Sequence, residues 1–318
     1  MERKVLILTD GKAGHENQSK AFARALGCDF DLVEIHFKSA FHKVLSYLFD
    51  HLGIHTLSLF ANHEPRTANH DYAAVLGTGS GTFYAAKSLA RKMGVKCGVV
   101  LYPRGYRIAS FDCVLAPAFD RPDPAPNVIT IPVNLVASDE AFYAAGTEAF
   151  RARYTPSEKP AVAVIVGGPN KCSTLTADWM RAQLDQIFAT YKPTNHEPRT
   201  TNHEIWVTTS RRTPPEVEAV VDSFPFDYKL LYSKDHFNPI PAFVKLARTL
   251  YVTAESTGMI SESCTFGTAE VHVLDNLKPG PHKFRRFVEN LRQEGYVDGC
   301  RKVDLSAEFA RARELMGI

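Results

Sequence analysis

The fold is decided by an uninterrupted apolar run that ends in two glycines, AVAVIVGG at residues 161–168. Its β-branched residues favour a strand, and an apolar run without alternation is typical of a strand buried on both faces of a parallel sheet. Glycines directly after such a strand allow the backbone to approach an anionic ligand at the sheet edge. Residues 161–168 therefore predict one strand of an α/β sheet.

On both sides of this run, short β-rich segments alternate with helical patterns, which is the signature of βαβ units. The first series of predicted strands comprises residues 5–9, 32–36, 73–76, 97–101, 113–115 and 128–131. The second series comprises residues 161–168, 205–208, 230–232, 250–253 and 271–274. Each series predicts one doubly wound sheet. Segment 132–160 separates them, and its turn-like end places the domain boundary near residue 155.

Bulk properties agree with two ordinary domains. The chain has 318 residues, which is about right for two domains of roughly 150 residues each. A formal net charge of +2 is too small to indicate a nucleic-acid partner. The six cysteines are scattered and form no CxxC pair, so we expect reduced thiols, as in a cytosol. No apolar stretch is long enough to predict a membrane span.

A near-identical nonapeptide occurs twice, as NHEPRTANH at 62–70 and NHEPRTTNH at 195–203. The flanking sequences share no comparable similarity, so two in-frame insertions explain the repeat better than a domain duplication. Asn, Pro and Thr make both copies suitable for exposed loops. The histidines that they contribute are spaced unlike the ligands of usual metal sites, and we predict no metal there.

The first candidate for chemistry is TDGKAGHENQ at residues 9–18, between a predicted strand and a helix expected over 19–26. Glycines in such a turn bring backbone N–H groups near an anion, and the carboxyl edge of a parallel sheet is where ligands bind. His15 is the side chain here that titrates near neutral pH and can serve as a general base. The alternative is a tight turn that leaves Lys12 and His15 in solvent.

Two further turns follow strands of the first series. GTGSGT at 77–82 precedes a helix predicted over Phe83–Met93, and its glycines suit either ligand binding or close packing of the helix. Arg104 ends the next strand in the segment LYPRG. A guanidinium in that position can bind a carboxylate or phosphate, although a surface arginine is the alternative.

In the second series, GGPNK at 167–171 and SRRTPP at 210–215 follow neighbouring strands. Paired arginines beside a helix that starts with proline form an anion site, and a solvated basic turn is the alternative. The segment TAESTGMISES at 253–263 follows a later strand. Glu255 and Glu262 are about two helical turns apart and can accept hydrogen bonds from ribose hydroxyls. Alternatively, Glu255 favours a helix N-terminus and Glu262 is a surface charge.

Residues 41–60 predict an amphipathic helix with cations at its start. Its apolar residues recur at helical spacing and are Phe41, Val44, Leu45, Leu48, Phe49 and Leu52. Such a helix either packs on the sheet or rests on a membrane surface, and we expect core packing.

Together, these segments resemble the elongated-mitochondria family, which is named for plant members implicated in mitochondrial fission and has many bacterial members treated as glycosyltransferases. The resemblance covers most of the chain. It rests on the order and spacing of DGKAGHENQ (10–18), LYPR (101–104), FDCVLAP (111–117), GG (167–168), TSRRTP (209–214) and VTAES (252–256). The two NHEPRT inserts depart from the family pattern.

The resemblance implies a GT-B architecture, with two Rossmann-like domains that face each other across a cleft. Residues 1–155 would form the N-terminal, acceptor-side domain, and residues 156–318 the C-terminal domain that holds a nucleotide-sugar donor. The implied reaction is a metal-independent sugar transfer without a cofactor. Its acceptor is a cell-envelope glycolipid or saccharide. The implied location is cytoplasmic, with peripheral contact at the inner membrane through 41–60 and no nucleic-acid partner.

Under this hypothesis each candidate residue has a role. His15, or Asp10 as the second choice, deprotonates the acceptor hydroxyl, and Arg211 stabilises charge on the leaving group. The donor-binding set is Gly167, Gly168, Ser210, Arg211, Arg212, Thr213, Glu255, Ser256 and Glu262. The acceptor-binding set is Lys12, Gly14, Gln18 and Arg104.

The rival function is a non-catalytic adaptor that keeps the fold and recruits a protein partner, since fold does not guarantee activity. Retention of cationic and acidic candidates at strand ends argues for the enzyme. A third class, an enzyme that uses a dinucleotide, is disfavoured because no GxGxxG follows any predicted strand.

Overall fold

The computed structural model describes residues 3–61, 71–192 and 203–318 and divides into two compact units. Unit 1 comprises Met1–Ala137 and Asp304–Ile318, and unit 2 comprises Ser138–Val303. Apart from His203, both NHEPRT inserts lie outside the described residues. Their assignment to exposed loops stays a prediction.

Unit 1 alternates strands and helices along its N-terminal part. Its elements are β1 (Lys4–Thr9), α1 (Ala13–Ala25), β2 (Asp29–Glu34), α2 (Ala40–His51), β3 (Tyr72–Thr78), α3 (Phe83–Met93), β4 (Lys96–Val100), β5 (Cys113–Pro117) and β6 (Val128–Ile131). The strands form one parallel sheet in the order β2-β1-β3-β4-β5-β6.

Unit 2 repeats this organisation. Its elements are α4 (Glu140–Arg151), β7 (Ala161–Ile165), α5 (Ala177–Tyr191), β8 (Glu204–Thr208), α6 (Pro215–Ser223), β9 (Tyr228–Leu230), α7 (Ile240–Leu246), β10 (Ala247–Thr253), α8 (Thr257–Phe266), β11 (Glu270–Leu274) and α9 (Lys283–Gln293). The strands form a second parallel sheet in the order β11-β10-β7-β8-β9. The chain ends with α10 (Ser306–Met316), which belongs to unit 1.

All the predicted strands are confirmed, with shifts of a few residues at their ends. The burial pattern explains why the apolar runs identified them. Every residue of β7 is buried, as expected for a central parallel strand, whereas β2 at the sheet edge alternates exposed and partly buried residues. The expected α/β fold class with two Rossmann-like units is therefore confirmed.

The units divide the chain differently from the boundary expected near residue 155. Unit 2 begins at Ser138, so it includes α4. This helix packs on α7, and Phe150 near its end is buried against Trp206 and Phe243. At the other end, α10 returns to unit 1 and packs on β4, β5 and β6. Both attachments join residues that are distant in sequence, so local composition does not reveal them.

Helix α1 begins at Ala13 rather than near residue 19. The backbone N–H groups of His15 and Glu16 both donate to the Lys12 carbonyl oxygen, at 2.9 and 3.0 Å, which closes the first turn. An acidic residue in that turn, Glu16, complements the helix dipole. Residues 13–18 of the predicted turn at 9–18 are therefore helical, and His15 stands on the first turn of α1.

Helix α2 corrects the expectation that residues 41–60 pack on the core. It ends at His51, and Gly53 follows with a left-handed φ of 72°. Leu45 and Phe49 do pack against the core of unit 1. The other apolar positions of the predicted helix, Phe41, Val44, Leu48 and Leu52, are exposed. Among the described helices, none has the length and apolarity needed to cross a membrane.

Candidate functional site

Each sheet has one place where the strand order reverses. In unit 1 it lies between β1 and β3, and in unit 2 between β7 and β10. The loops that follow two such strands diverge to opposite faces of the sheet and leave a crevice at its carboxyl edge, which is the usual ligand site of doubly wound folds. Both crevices are bordered by segments that the sequence singled out, 10–18 with 77–82 in unit 1, and 167–171 with 253–256 in unit 2.

In unit 1 the crevice holds a carboxylate and a histidine in direct contact. Asp10 follows β1, and His15 projects from the first turn of α1. His15 Nδ1 lies 3.0 and 3.1 Å from the two carboxylate oxygens of Asp10. Since a carboxylate accepts hydrogen bonds, Nδ1 is the donor and Nε2 carries the free lone pair of the neutral ring. The pair therefore has the chemistry of an oriented general base.

The glycines of the second turn make room for this pair. Gly79 has a left-handed φ of 81°, and a Cβ at that position would lie 2.7 Å from His15 Nδ1. A Cβ at Gly81 would lie 2.8 Å from Asp10 Oδ2. The alternatives for GTGSGT, ligand binding or close packing, are thus resolved in part. At least two of its glycines serve the close approach of Asp10 and His15.

Lys12 completes the charge pattern of this crevice. Its exposed ammonium lies 2.7 Å from Asp10 Oδ2. Burial acts to raise the pKa of the Asp10 carboxyl, but the hydrogen bonds and charges of Lys12 and His15 outweigh burial and hold that pKa below its usual value. Asp10 is therefore ionised at neutral pH, with both oxygens engaged, and it is better suited to orient His15 than to take a proton itself.

The remaining acceptor candidates lie around or away from this pair. Gly14 is exposed on α1 with open space beside it. Gln18 donates to the Gly14 carbonyl oxygen at 3.4 Å. Arg104 instead donates to the backbone carbonyl oxygens of Asp120 and Arg121 and lies over the Tyr102 ring, 5.3 Å from its centroid. Its guanidinium holds the loop after β5, and the structure does not bring it to the Asp10–His15 pair.

In unit 2 the crevice is built around two glycines that follow β7. A Cβ at Gly167 would collide with Glu255 Oε1 and Ser256 Oγ, and a Cβ at Gly168 would collide with Arg212. The Gly167 N–H donates to Thr253 Oγ1 at 2.9 Å. Only glycine allows the β7 turn to lie this close to the β10 turn and to the loop after β8.

The Glu255 carboxylate is buried beneath this turn and fully engaged. Its Oε1 accepts from Thr253 Oγ1 at 2.9 Å and from Ser256 Oγ at 3.1 Å. Its Oε2 accepts from Asn276 Nδ2 at 2.7 Å. A buried carboxylate with three donors is a structural anchor, because each bond offsets the loss of hydration. The structure thus places Glu255 and Ser256 under the crevice, where they shape it.

The loop after β8 is tied to the same turn by Thr213. Its hydroxyl donates to the Gly167 carbonyl oxygen at 2.6 Å and accepts from the Ser210 N–H at 2.8 Å. The side chains of Arg211 and Arg212 leave this loop exposed, and neither pairs with a carboxylate of the described residues. Two cations are therefore held next to the Gly167 turn and remain available for an anion.

Beside this loop lies a hollow of about 550 Å³, which unit 2 forms alone. It is lined by Ser210, Arg211 and Thr213 together with residues after β9, among them Tyr232, Ser233 and Lys234. Sequence reasoning missed the residues after β9. Their position at the carboxyl end of a strand was the signal that could have identified them.

Glu262 stands apart from Glu255. It is partly buried on α8 and faces Tyr143 of α4. Burial raises the pKa of the Glu262 carboxyl, and the Tyr143 hydroxyl offsets part of that rise. The structure does not bring the two glutamates to one site, since Glu255 is bonded beneath the Gly167 turn and Glu262 faces Tyr143.

Two Rossmann-like units with glycine turns at their switch points define the class of the protein, the GT-B fold. The family model described as mitochondrial fission ELM1 matches residues 13–313. The chain therefore belongs to this family, and the resemblance found in the sequence is confirmed.

Solved structures agree on the fold. The chain aligns with the UDP-GlcNAc 2-epimerase from Neisseria meningitidis bound to UDP-GlcNAc at a TM-score of 0.50 and 11% identity, over 100% of this chain and 98% of that one. It aligns with a UDP-glucosyltransferase from Polygonum tinctorium at a TM-score of 0.50 and 9% identity, over 100% and 94%. No curated relative matches the sequence. At these identities the similarity establishes the fold alone.

Proposed function

We propose that the protein is a GT-B glycosyltransferase that moves a sugar from a nucleotide-sugar donor to a cell-envelope acceptor. One observation carries the proposal. Two unpaired arginines, Arg211 and Arg212, stand beside a glycine turn at the strand-order switch of unit 2. The buried network around Glu255 holds that turn in place.

Unit 2 is the proposed donor side. The two exposed guanidinium groups are donors and positive charges suited to a pyrophosphate. Negative charge builds up on the nucleoside diphosphate as it leaves, and cations fixed in advance stabilise that charge without a metal ion. Ser210 and Thr213 fix the loop that carries the arginines, and the adjoining hollow has room for a nucleoside.

Unit 1 is the proposed acceptor side. His15 Nε2 takes the proton of the acceptor hydroxyl, the oxygen forms a bond to the anomeric carbon, and the nucleoside diphosphate departs with the bonding electrons. Asp10 orients the ring through Nδ1 and stabilises the imidazolium that forms. Lys12, Gly14 and Gln18 border this pair and would contact the acceptor.

The identity of the donor and the location of the enzyme extend this proposal. The two solved structures are a UDP-GlcNAc 2-epimerase bound to UDP-GlcNAc and a UDP-glucosyltransferase, so UDP-sugars are the first donors to test. The enzyme would reach an envelope acceptor at the cytoplasmic side of the inner membrane. The proposal therefore includes a cytoplasmic enzyme with peripheral membrane contact through residues 41–60.

The second candidate function is a non-catalytic adaptor that recruits a protein partner. The family description, mitochondrial fission, favours it. An adaptor retains the fold without needing an oriented histidine or unpaired arginines at the switch points. The two functions differ in whether the protein binds a nucleotide.

A thermal-shift panel of UDP-, GDP-, CMP- and ADP-sugars tests the proposal. A ligand at one hundred times its dissociation constant stabilises the folded state by about 2.7 kcal/mol. We expect one class of nucleoside diphosphate sugar to raise the melting temperature and to release its nucleoside diphosphate only when an acceptor is added. Release or epimerisation without acceptor would contradict transfer, and no shift with any class would favour the adaptor.

A further inference from the structure

Helix α2 presents an apolar stripe to solvent. The stripe consists of Phe41, Val44, Leu48 and Leu52, whose side chains are 69%, 66%, 54% and 64% exposed. Their spacing places them on one side of the helix, and Ile54 continues it past the C-terminus. Large apolar side chains contiguous on a surface indicate a binding face, whereas single ones do not. We call these four residues the α2 stripe.

The opposite side of α2 packs on the core through Leu45 and Phe49 and is also bonded to the rest of unit 1 by polar groups. Buried Asp50 pairs with buried Lys87 of α3 and accepts from the Arg107 N–H at 2.6 Å. Ser46 bonds the Tyr106 hydroxyl at 2.8 Å. Turning the stripe inward would break these bonds and leave a charge without its partner. The exposure of the stripe is thus imposed by polar contacts on the far side of the helix.

The surroundings of the stripe are cationic. Between residues 35 and 61 the one carboxylate is Asp50, which is buried and neutralised by Lys87. Lys38 is exposed just before α2, and the guanidinium of exposed Arg107 lies near Gly53 past its other end. A second copy of this chain would bring like charges together at this face. An anionic lipid bilayer offers both an apolar region for the stripe and negative charge for the cations around it.

We propose that the α2 stripe docks unit 1 onto an anionic lipid bilayer, with α2 lying in the plane of the interface. The four apolar side chains enter the boundary between headgroups and acyl chains. Lys38 and Arg107 contact lipid phosphates. The inference deepens the membrane contact through residues 41–60 that the proposed function includes, and rests on it, by naming the four side chains and the charge of the lipid. It does not depend on glycosyl transfer, and the test below needs no substrate.

Cosedimentation of the full chain with vesicles tests the proposal. We expect binding to phosphatidylcholine mixed with phosphatidylglycerol, and much weaker binding to phosphatidylcholine alone or at high salt. Phe41→Ser combined with Leu48→Ser is expected to lower the partition coefficient on the order of tenfold for each side chain. Lys38→Gln is expected to lower it about fivefold on the anionic vesicles alone.

Matched controls exist elsewhere on the surface. Leu32 on β2 and Phe142 on α4 are exposed apolar residues outside the stripe, at 41% and 43%. Leu32→Ser with Phe142→Ser should leave vesicle binding unchanged, and so should Lys159→Gln in unit 2. The proposal fails if the wild type does not bind anionic vesicles, or if the control variants bind them as weakly as the stripe variant does. It also fails if sedimentation velocity shows that the stripe variant only dissociates a dimer.

Discussion

The two switch points use their polar side chains in opposite ways. In unit 1 the polar groups face outward from a glycine-lined turn. Asp10 is bonded to His15 and Lys12, and His15 Nε2 is left without an assigned partner among the described residues. In unit 2 the polar groups bond one another beneath the turn, and both carboxylate oxygens of Glu255 accept hydrogen bonds.

This difference indicates a division of labour. A side chain that must exchange a proton has to keep one site open, as His15 does. A turn that must hold a charged group of fixed shape benefits from a rigid base, and the Glu255 network supplies one. Under the proposed function, the ligand contacts in unit 2 then fall to the exposed Arg211 and Arg212. Variants that affect turnover and donor binding separately can test this difference.

The largest effect is expected from His15→Gln. Loss of a positioned general base typically costs 10²- to 10⁴-fold in rate, so turnover should fall by about that factor while donor affinity stays unchanged. Steady-state kinetics with a thermal shift for the donor would measure both. His272→Gln on β11 is a matched control, because His272 Nδ1 lies 2.8 Å from Asp298 Oδ1 in the same kind of pair. Equal losses in both variants would refute the assignment to His15.

Gly167→Ala should have the next largest effect, which is a loss of folding stability. The added Cβ meets Glu255 Oε1 and Ser256 Oγ, which are fixed in the buried network. Overpacking of this kind costs about 1–3 kcal/mol, and donor binding should be lost as well. Chemical denaturation gives the free energy of unfolding.

Gly258→Ala provides the control for that measurement. Gly258 lies on α8 with open space around it, so alanine there should stabilise the helix by about 0.5–1 kcal/mol. If both variants had similar stability, the rigid base proposed for unit 2 would not exist.

A smaller effect is expected from Arg211→Ala, in binding alone. A hydrogen bond to a charged group contributes about 1.5–3 kcal/mol, so donor affinity should fall roughly ten- to a hundredfold. The unfolding free energy should change by less than about 0.5 kcal/mol, because the side chain is exposed and unpaired. Isothermal titration with the donor nucleotide measures the affinity.

Arg248→Ala serves as its control. Arg248 is exposed near the amino end of β10, at the opposite edge of the same sheet from the β10 turn. We expect this variant to bind the nucleotide normally. Unchanged affinity in Arg211→Ala would remove the observation on which the proposed function rests.

The strands could be predicted well because the apolar pattern of each segment reflects how far that segment is buried. The fully buried β7 and the alternating β2 differ in pattern for reasons internal to each segment. The glycine turns were located for the same reason, since each directly follows a strand. Local pattern also identified Asp10 and His15, whose contact spans only five positions.

Features that depend on distant partners were not predictable. Glu255 is buried because Gly167, far away in the chain, lacks a side chain. The orientation of α2 depends on Asp50 meeting Lys87, so hydrophobic periodicity alone favoured the wrong face for core packing. The return of α10 to unit 1 likewise rests on contacts with β4, β5 and β6. In each case a pairing between separate elements outweighs the local pattern.

The smallest effect is expected in the acid range and has opposite signs in the two units. The pKa of Asp10 is lowered on folding, so its contribution to stability is complete above the unfolded value of 3.8 and is lost as the pH falls through the folded value. The pKa of Glu262 is raised, so stability falls as the pH rises from 4.5 through its folded value. Asp10→Asn should therefore lose least stability relative to wild type at low pH, and Glu262→Gln should gain most at neutral pH. Unfolding free energies measured from below pH 3.8 to neutral pH would test this, and the same sign in both variants would contradict the contrast between a carboxylate stabilised by Lys12 and His15 and one desolvated beside Tyr143.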